Sequence, residues 1–319
     1  MTLPHWEDFW RSGALVSCPT DSAEGFSGSL RAVWEQFFAA LPDGARILDV
    51  GTGNGALPMI AVATARRRSV RFDVHGVDLA RIDPRRVVRD GARLFDGVVF
   101  HGGFAAEALP FADGSFDAVV GQYSLEYTRR EQTLREVRRV AKTGAPARFV
   151  LHHAASVVVT LARESLLHAR ELEERAQAFD DLRAYVAAER ADAAQAAALH
   201  ARITARMRDL HALAATSKGS SLLADVLPAL GRLFELRQQL APDDFARAFD
   251  SAYRSFKALE RRLSELVDAA LDEAAMRALA DLARASGFDA VRHAPLVQDG
   301  AFLVGWQLDM QAGSGVPRA

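Results

Sequence analysis

The chain has 319 residues, half of them hydrophobic and a quarter charged, which suffices for one large domain or two modest ones. Its 39 basic and 41 acidic residues leave a formal net charge of −2, so no global attraction to nucleic acid or to an anionic membrane is expected. One cysteine, Cys18, excludes an intramolecular disulfide, and neither a signal peptide nor an apolar run of about 20 residues is evident, so a cytoplasmic protein without a membrane span is expected.

Residues 1–40 are rich in aromatics, among them Trp6, Phe9, Trp10, Phe26, Trp34, Phe37 and Phe38. Residues 29–41 read as an amphipathic helix with Leu30, Val33, Trp34, Phe37 and Phe38 on one side, ended by Pro42-Asp43-Gly44. Packing against a sheet is the ordinary role for these tryptophans; the alternative is that Trp6, Trp10 or Phe26 caps a pocket. From residue 45, strands are predicted at 45–50, 72–77, 97–101, 116–121 and 146–152, with helical patterns between them. Such alternation implies a parallel sheet covered on both sides, with its ligand crevice at the carboxyl ends of the strands.

The pattern changes after His153. Residues 156–273 carry almost no strand signal. Leu172, Phe179 and Val186 recur at seven, and Leu199, Ile203, Met207 and Leu210 at helical spacing. Gly219 marks a break, Pro228 is expected to bend or interrupt the next helix, and Pro242-Asp243-Asp244 opens a long one. A helix at 275–285 follows, then strands near 289–297 and 301–310 joined by the turn Gln298-Asp299-Gly300. Three segments result: 1–155 with the α/β core, 156–273 as an all-helical insertion, and 274–319 completing the sheet.

The most informative stretch is Arg46-Ile47-Leu48-Asp49-Val50-Gly51-Thr52-Gly53-Asn54-Gly55-Ala56. A strand runs into three alternate glycines and then a helix, a natural site for a nucleotide-like cofactor. Gly51, Gly53 and Ala56 also satisfy the dinucleotide pattern G-x-G-x-x-G/A, a weak signal alone. Asp49, however, would repel a pyrophosphate and help hold a cationic amino acid. Asp78 ends the next strand, where a carboxylate accepts from both ribose hydroxyls of either cofactor.

The segments "LDVGTGNGA", "VHGVDLA" and "EALPFADGSFDAVVGQYSLEYT", in this order and spacing, resemble the class I S-adenosylmethionine-dependent methyltransferases, in the branch of the ubiquinone and menaquinone methyltransferases. The resemblance covers residues 40–155 well and 274–311 loosely. It implies a Rossmann-like, mostly parallel sheet whose last strand is antiparallel, interrupted here by the helical insertion. It further implies that Gly51, Gly53 and Gly55 line the methionine side of S-adenosylmethionine. Asp49 would hold its ammonium, Asp78 its ribose, and Leu79 its adenine. The acidic residue that often reads the adenine amino group is replaced here by Ala105. Backbone groups of Ala105 and Ala106 remain to meet adenine, with Glu107 beside them. Gln122 and Tyr123 leave the fourth strand where the methyl group would point.

Methyl transfer needs alignment, exclusion of water and sometimes a base. His152 and His153 end the fifth strand, and because side chains alternate, one of them faces the cleft. They are the candidate bases, with Tyr123 as a hydroxyl that orients the acceptor. Glu126 and Tyr127 are read as helix-end packing, and Asp117 as a turn or cap. No metal-ligand spacing and no G-x-S-x-G elbow occur. The expected function is methylation of a small, partly apolar metabolite under a helical lid, releasing S-adenosylhomocysteine. The alternatives are a protein methyltransferase whose insertion docks a partner, and an idle cofactor-binding scaffold. A homodimer through the insertion is a further use of the same helices.

Overall fold

A computed structural model describes residues 3–17, 26–189, 191–217 and 221–314. Cys18 and Gly219 lie outside these residues. The chain divides into two compact units, residues 1–159 with 268–319, and residues 160–267.

The first unit is built on a seven-stranded sheet. Its strands are β1 (Arg46–Val50), β2 (Asp73–Asp78), β3 (Val99–Gly102), β4 (Ala118–Gln122), β5 (Pro146–Leu151), β6 (Phe288–Gln298) and β7 (Phe302–Ala312), in the order β3-β2-β1-β4-β5-β7-β6. β1 to β5 are parallel. β7 runs antiparallel to β5, from Pro146↔Gln311 to Leu151↔Trp306, and β6 closes the edge as its hairpin partner. Asp299 (φ 51°) and Gly300 (φ 71°) both adopt positive φ, as a type I′ hairpin turn requires.

Helices cover both faces. They are α1 (Pro4–Arg11), α2 (Gly28–Ala39), α3 (Ala56–Arg68), the short α4 (Pro84–Val87) and α5 (Gly91–Leu94), and α6 (Arg130–Val140). Because successive strand residues point to opposite sides, Ile47, Ala118 and Val120 pack with Trp34 and Phe38 of α2 and Ile60 of α3. Leu48, Val50 and Val119 pack with Leu134 and Val137 of α6 and with Met276 and Leu279 of the last helix. Phe26 joins the α2 face as a core residue.

The remaining helices are α7 (Val157–Arg170), α8 (Ala178–Ala188), α9 (Ala193–Thr216), α10 (Ser221–Leu236), α11 (Pro242–Ala269) and α12 (Glu273–Ala285). A π-helical turn, Glu171–Arg175, joins α7 to α8. The helical unit has its own core, with Leu172, Phe179, Leu182, Leu227, Phe249 and Phe256 among its members. Pro228 does not interrupt α10, which runs on to Leu236. The buried stripe of Leu223, Val226, Leu227, Leu230 and Leu233 holds the helix on both sides of the proline. Among the described residues no helix is long and apolar enough to cross a membrane.

Candidate cofactor and acceptor site

Strand order reverses between β1 and β4, the switch point at which such a sheet takes a ligand. Two segments line it, the glycine loop 51–55 after β1 and the turn 122–127 after β4. They touch directly. A Cβ on Gly51 (φ 71°) would lie 2.3 Å from the Ser124 Cβ, while Ser124 Oγ donates to the Val50 carbonyl at 2.7 Å. Only glycine allows this approach. The loop is clamped to β2 by Gly51 N and Thr52 N, which both donate to the Val77 carbonyl.

Asp78 ends β2 and fixes the loop's second glycine. Its Oδ2 accepts from Gly53 N and its Oδ1 from Ala80 N, both at 2.8 Å. Each oxygen retains a second lone pair for a ligand hydroxyl. Burial raises the Asp78 carboxyl above its usual range, and those two backbone donors oppose the shift. Gly55 caps the start of α3 in a left-handed conformation, with Phe95 and Phe100 against its Cβ position. Asp49 lies in β1 beneath the loop, 2% exposed. Burial pushes its carboxyl up to about 7, opposed by the Thr52 hydroxyl and reinforced by Asp78. Its Oδ1 has no hydrogen-bond partner among the described residues. A buried acceptor left without a donor fits a ligand ammonium, which would supply both the proton and the counter-charge.

Leu79 is half-buried beside Asp78, and Gly103 N and Phe104 N donate to the Asp78 carbonyl. This wraps the segment after β3 around the end of β2. Ala105 accepts from Ala108 N in a turn, and Ala106 packs against the core on the α6 side. Glu107 is not turned to this segment. Its Oε1 accepts from Arg129 N just before α6.

Several side chains expected to serve chemistry are engaged elsewhere. Gln122 points to the α2 face, where its Oε1 accepts from Trp34 Nε1. Tyr123 adopts φ 53° and donates its hydroxyl to the Val304 carbonyl at 2.9 Å, so toward a ligand that oxygen acts as an acceptor. Its ring instead stacks on His152, with centroids 4.0 Å apart and planes 3° apart. His152 is 1% exposed, and burial pulls its imidazole down to about 3. It is therefore neutral and a poor general base near neutral pH. His153, as alternation demands, turns the other way and stacks on Trp306 at 4.3 Å. Its Nδ1 accepts from Ala155 N at 2.9 Å, which assigns the proton to Nε2 and makes that atom a donor rather than a base.

Glu126 is a further candidate, which the sequence marks only by an acid after the otherwise uncharged run Gln122-Tyr123-Ser124-Leu125 just past a strand. It sits in the 3₁₀ turn Leu125–Tyr127, buried, and its Oε1 accepts from His152 N at 2.7 Å. Burial pushes its carboxyl up to about 7, and Oε2 has no hydrogen-bond partner among the described residues. From α1, Trp10 lies over the loop, with ring atoms 2.5 Å from a Cβ built on Gly53. Asn54 Nδ2 donates to the carbonyls of Trp10 and Ala14 and pins the end of α1 there. Trp6 stacks on Trp10 and meets Tyr127 edge-on at 6.4 Å, and Tyr127 meets His152 at 6.0 Å. An aromatic path thus runs from Gly53 to Tyr123.

Comparison with known proteins agrees with this architecture. A family profile described as "Methyltransferase domain" matches residues 47–144. The ubiquinone/menaquinone biosynthesis C-methyltransferase of Xylella fastidiosa is 31% identical over 127 residues, covering 38% of this chain and 49% of that protein. The protein of the same name from Geotalea uraniireducens is 32% identical over 111 residues, covering 33% and 44%. The chain thus spans about half the length of the curated relatives it matches. Among solved structures, a geranyl diphosphate C-methyltransferase from Streptomyces coelicolor aligns with 22% identity over 39% of this chain and 43% of its own, with a TM-score of 0.33.

Proposed function

We propose that this chain, whose residues 47–144 form a class I methyltransferase domain, binds S-adenosylmethionine and methylates a small, partly apolar acceptor. The observation that carries the reading is the pair of carboxylates, Asp49 and Asp78, bracketing the glycine loop at the switch point of the sheet. When bound, S-adenosylmethionine supplies a methyl group made electrophilic by its sulfonium. Asp49 Oδ1 takes the ammonium, Asp78 the ribose hydroxyls, and the backbone of residues 104–106 with Leu79 the adenine. Asp49 also disfavours a dinucleotide, whose pyrophosphate would meet a carboxylate at that loop.

On the acceptor side, Trp6, Tyr127 and Tyr123 form an aromatic wall, with the buried His152 stacked behind Tyr123. Neutral His152 backs the Tyr123 ring rather than serving as a base, so the wall aligns the acceptor and excludes water. An acceptor with a planar or apolar body suits such a surface. The matched relatives are named for C-methylation in quinone biosynthesis, a ring-bearing class of acceptor. Calorimetry with S-adenosylmethionine, S-adenosylhomocysteine and NAD tests the reading: the first two bind and NAD does not. Tight NAD binding with no response to S-adenosylhomocysteine would overturn it.

The helical unit acts as the lid. Two features support this: the chain leaves the sheet after β5, whose carboxyl end borders the crevice, and an acceptor site needs water excluded. Hydrogen exchange across residues 160–267, with and without cofactor and acceptor, should show protection gained on binding. No change anywhere in this range would leave the helices to dimerisation or partner docking.

A further inference from the structure

The helical unit holds a cavity of about 270 Å³ between α8, α9 and α10, lined entirely by its own residues. The body of the cavity is apolar, walled by Leu182, Ile203, Met207, Leu230 and Phe234. Its polar end is a buried Asp181 shared by two guanidinium groups. Arg202 binds both carboxylate oxygens, and Arg206 Nη1 donates to Asp181 Oδ2 at 2.6 Å and to the Ala176 carbonyl at 2.8 Å. One carboxylate against two arginines leaves a formal charge of +1. The Nε and Nη2 of Arg206 have no acceptor among the described residues, and this arginine lines the cavity.

Gly231 is a second, independent observation. It falls in the interior of α10, four residues after Leu227 and three before Phe234, on the stripe that elsewhere carries apolar side chains. Glycine at such a position costs helix stability relative to alanine. Nothing lies within 4 Å of a Cβ built there, so packing does not demand the glycine, and the residue lines the cavity. Gly231 is exposed, so at this position no side chain covers that side of the cavity from solvent.

We propose that this cavity is a binding site for a small amphiphilic anion, a carboxylate with a medium-length alkyl or single-ring body. The carboxylate accepts from the free Nε and Nη2 of Arg206, and the body displaces water from the apolar walls. A charge-assisted pair of donors on one guanidinium is the geometry that selects a carboxylate over a neutral or cationic head. The cavity volume is about nine waters' share of liquid. It falls just below the drug-sized range of about 300–1,000 Å³, which sets the upper size of the body.

The test is calorimetry on the full chain with octanoate, 1-octanol and octylamine as probes. Octanoate is expected to bind saturably, 1-octanol at least tenfold more weakly, and octylamine not at all. Gly231→Leu, which places a side chain in the open space and favours the helix, should weaken octanoate at least tenfold without lowering the unfolding midpoint. Met207→Phe provides a second filling variant. Arg206→Met should remove the preference for octanoate over octanol while leaving octanol binding. The proposal is overturned if octanoate shows no saturable binding up to its solubility limit, if it binds no better than octanol, or if both filling variants bind it as well as the unmodified chain.

Discussion

The sharpest consequence of the site's electrostatics is a pH-dependent affinity for S-adenosylhomocysteine. Asp49 is buried with its carboxyl near 7 and an unpartnered Oδ1, and the ammonium of the bound ligand favours its ionised form. At a folded value of about 7, about nine-tenths of Asp49 is ionised at pH 8 and about one-tenth at pH 6. Binding that requires the ionised form should therefore weaken about tenfold from pH 8 to pH 6, or about 1.4 kcal/mol. Asp78, also raised by burial, shifts in the same sense. Titration calorimetry at pH 7 in two buffers of different ionisation heat should report roughly half a proton released by Asp49 on binding. Asp49→Asn should remove both the slope and the released proton and bind more weakly at pH 8. Affinity that stays flat from pH 6 to pH 8 with no proton release would refute the assignment of Asp49 to the ammonium.

The fold itself should respond to pH through the same groups. A carboxyl raised in the folded state adds stability below its unfolded value, and this is lost as pH rises through the folded value. Asp49 and Glu126, both near 7, should each contribute a loss of about 1.4 kcal/mol between pH 6 and pH 8. Buried histidines such as His152, whose lowered value adds stability as pH rises, oppose this loss. Relative to the unmodified chain, Asp49→Asn or Glu126→Gln should each remove about 1.4 kcal/mol of loss over this range in urea unfolding. Gly51→Ala sets Cβ against Cβ at 2.3 Å from Ser124 and adds about 1–2 kcal/mol of left-handed strain, so S-adenosylhomocysteine affinity and unfolding midpoint should both drop. His152→Phe keeps the stack on Tyr123 and should retain turnover within a few-fold once an acceptor is known. A loss on the order of 10²-fold or more in that variant would show that an imidazole nitrogen takes part in the chemistry.

Much of the backbone was determined by local sequence. The apolar runs before Asp49-Val50-Gly51 and before Asp78 become β1 and β2, and Asp299-Gly300 becomes the hairpin turn. The apolar periodicity predicts helices over 156–273, and in the structure residues 160–267 form a compact helical unit. These features depend on neighbours a few residues away, through φ preferences and the spacing of apolar side chains. The direction and ionisation of the site's side chains depend on partners far along the chain. Gln122 is taken by Trp34 on α2, and the Tyr123 hydroxyl by Val304 on a strand 181 residues later. His152 is held neutral by burial, Glu107 turns to the start of α6, and Trp10 comes to rest on Gly53. The charge of Asp49 and Glu126 follows from how completely other elements enclose them. Desolvation is set by surroundings assembled from the whole fold, so no local pattern encodes it.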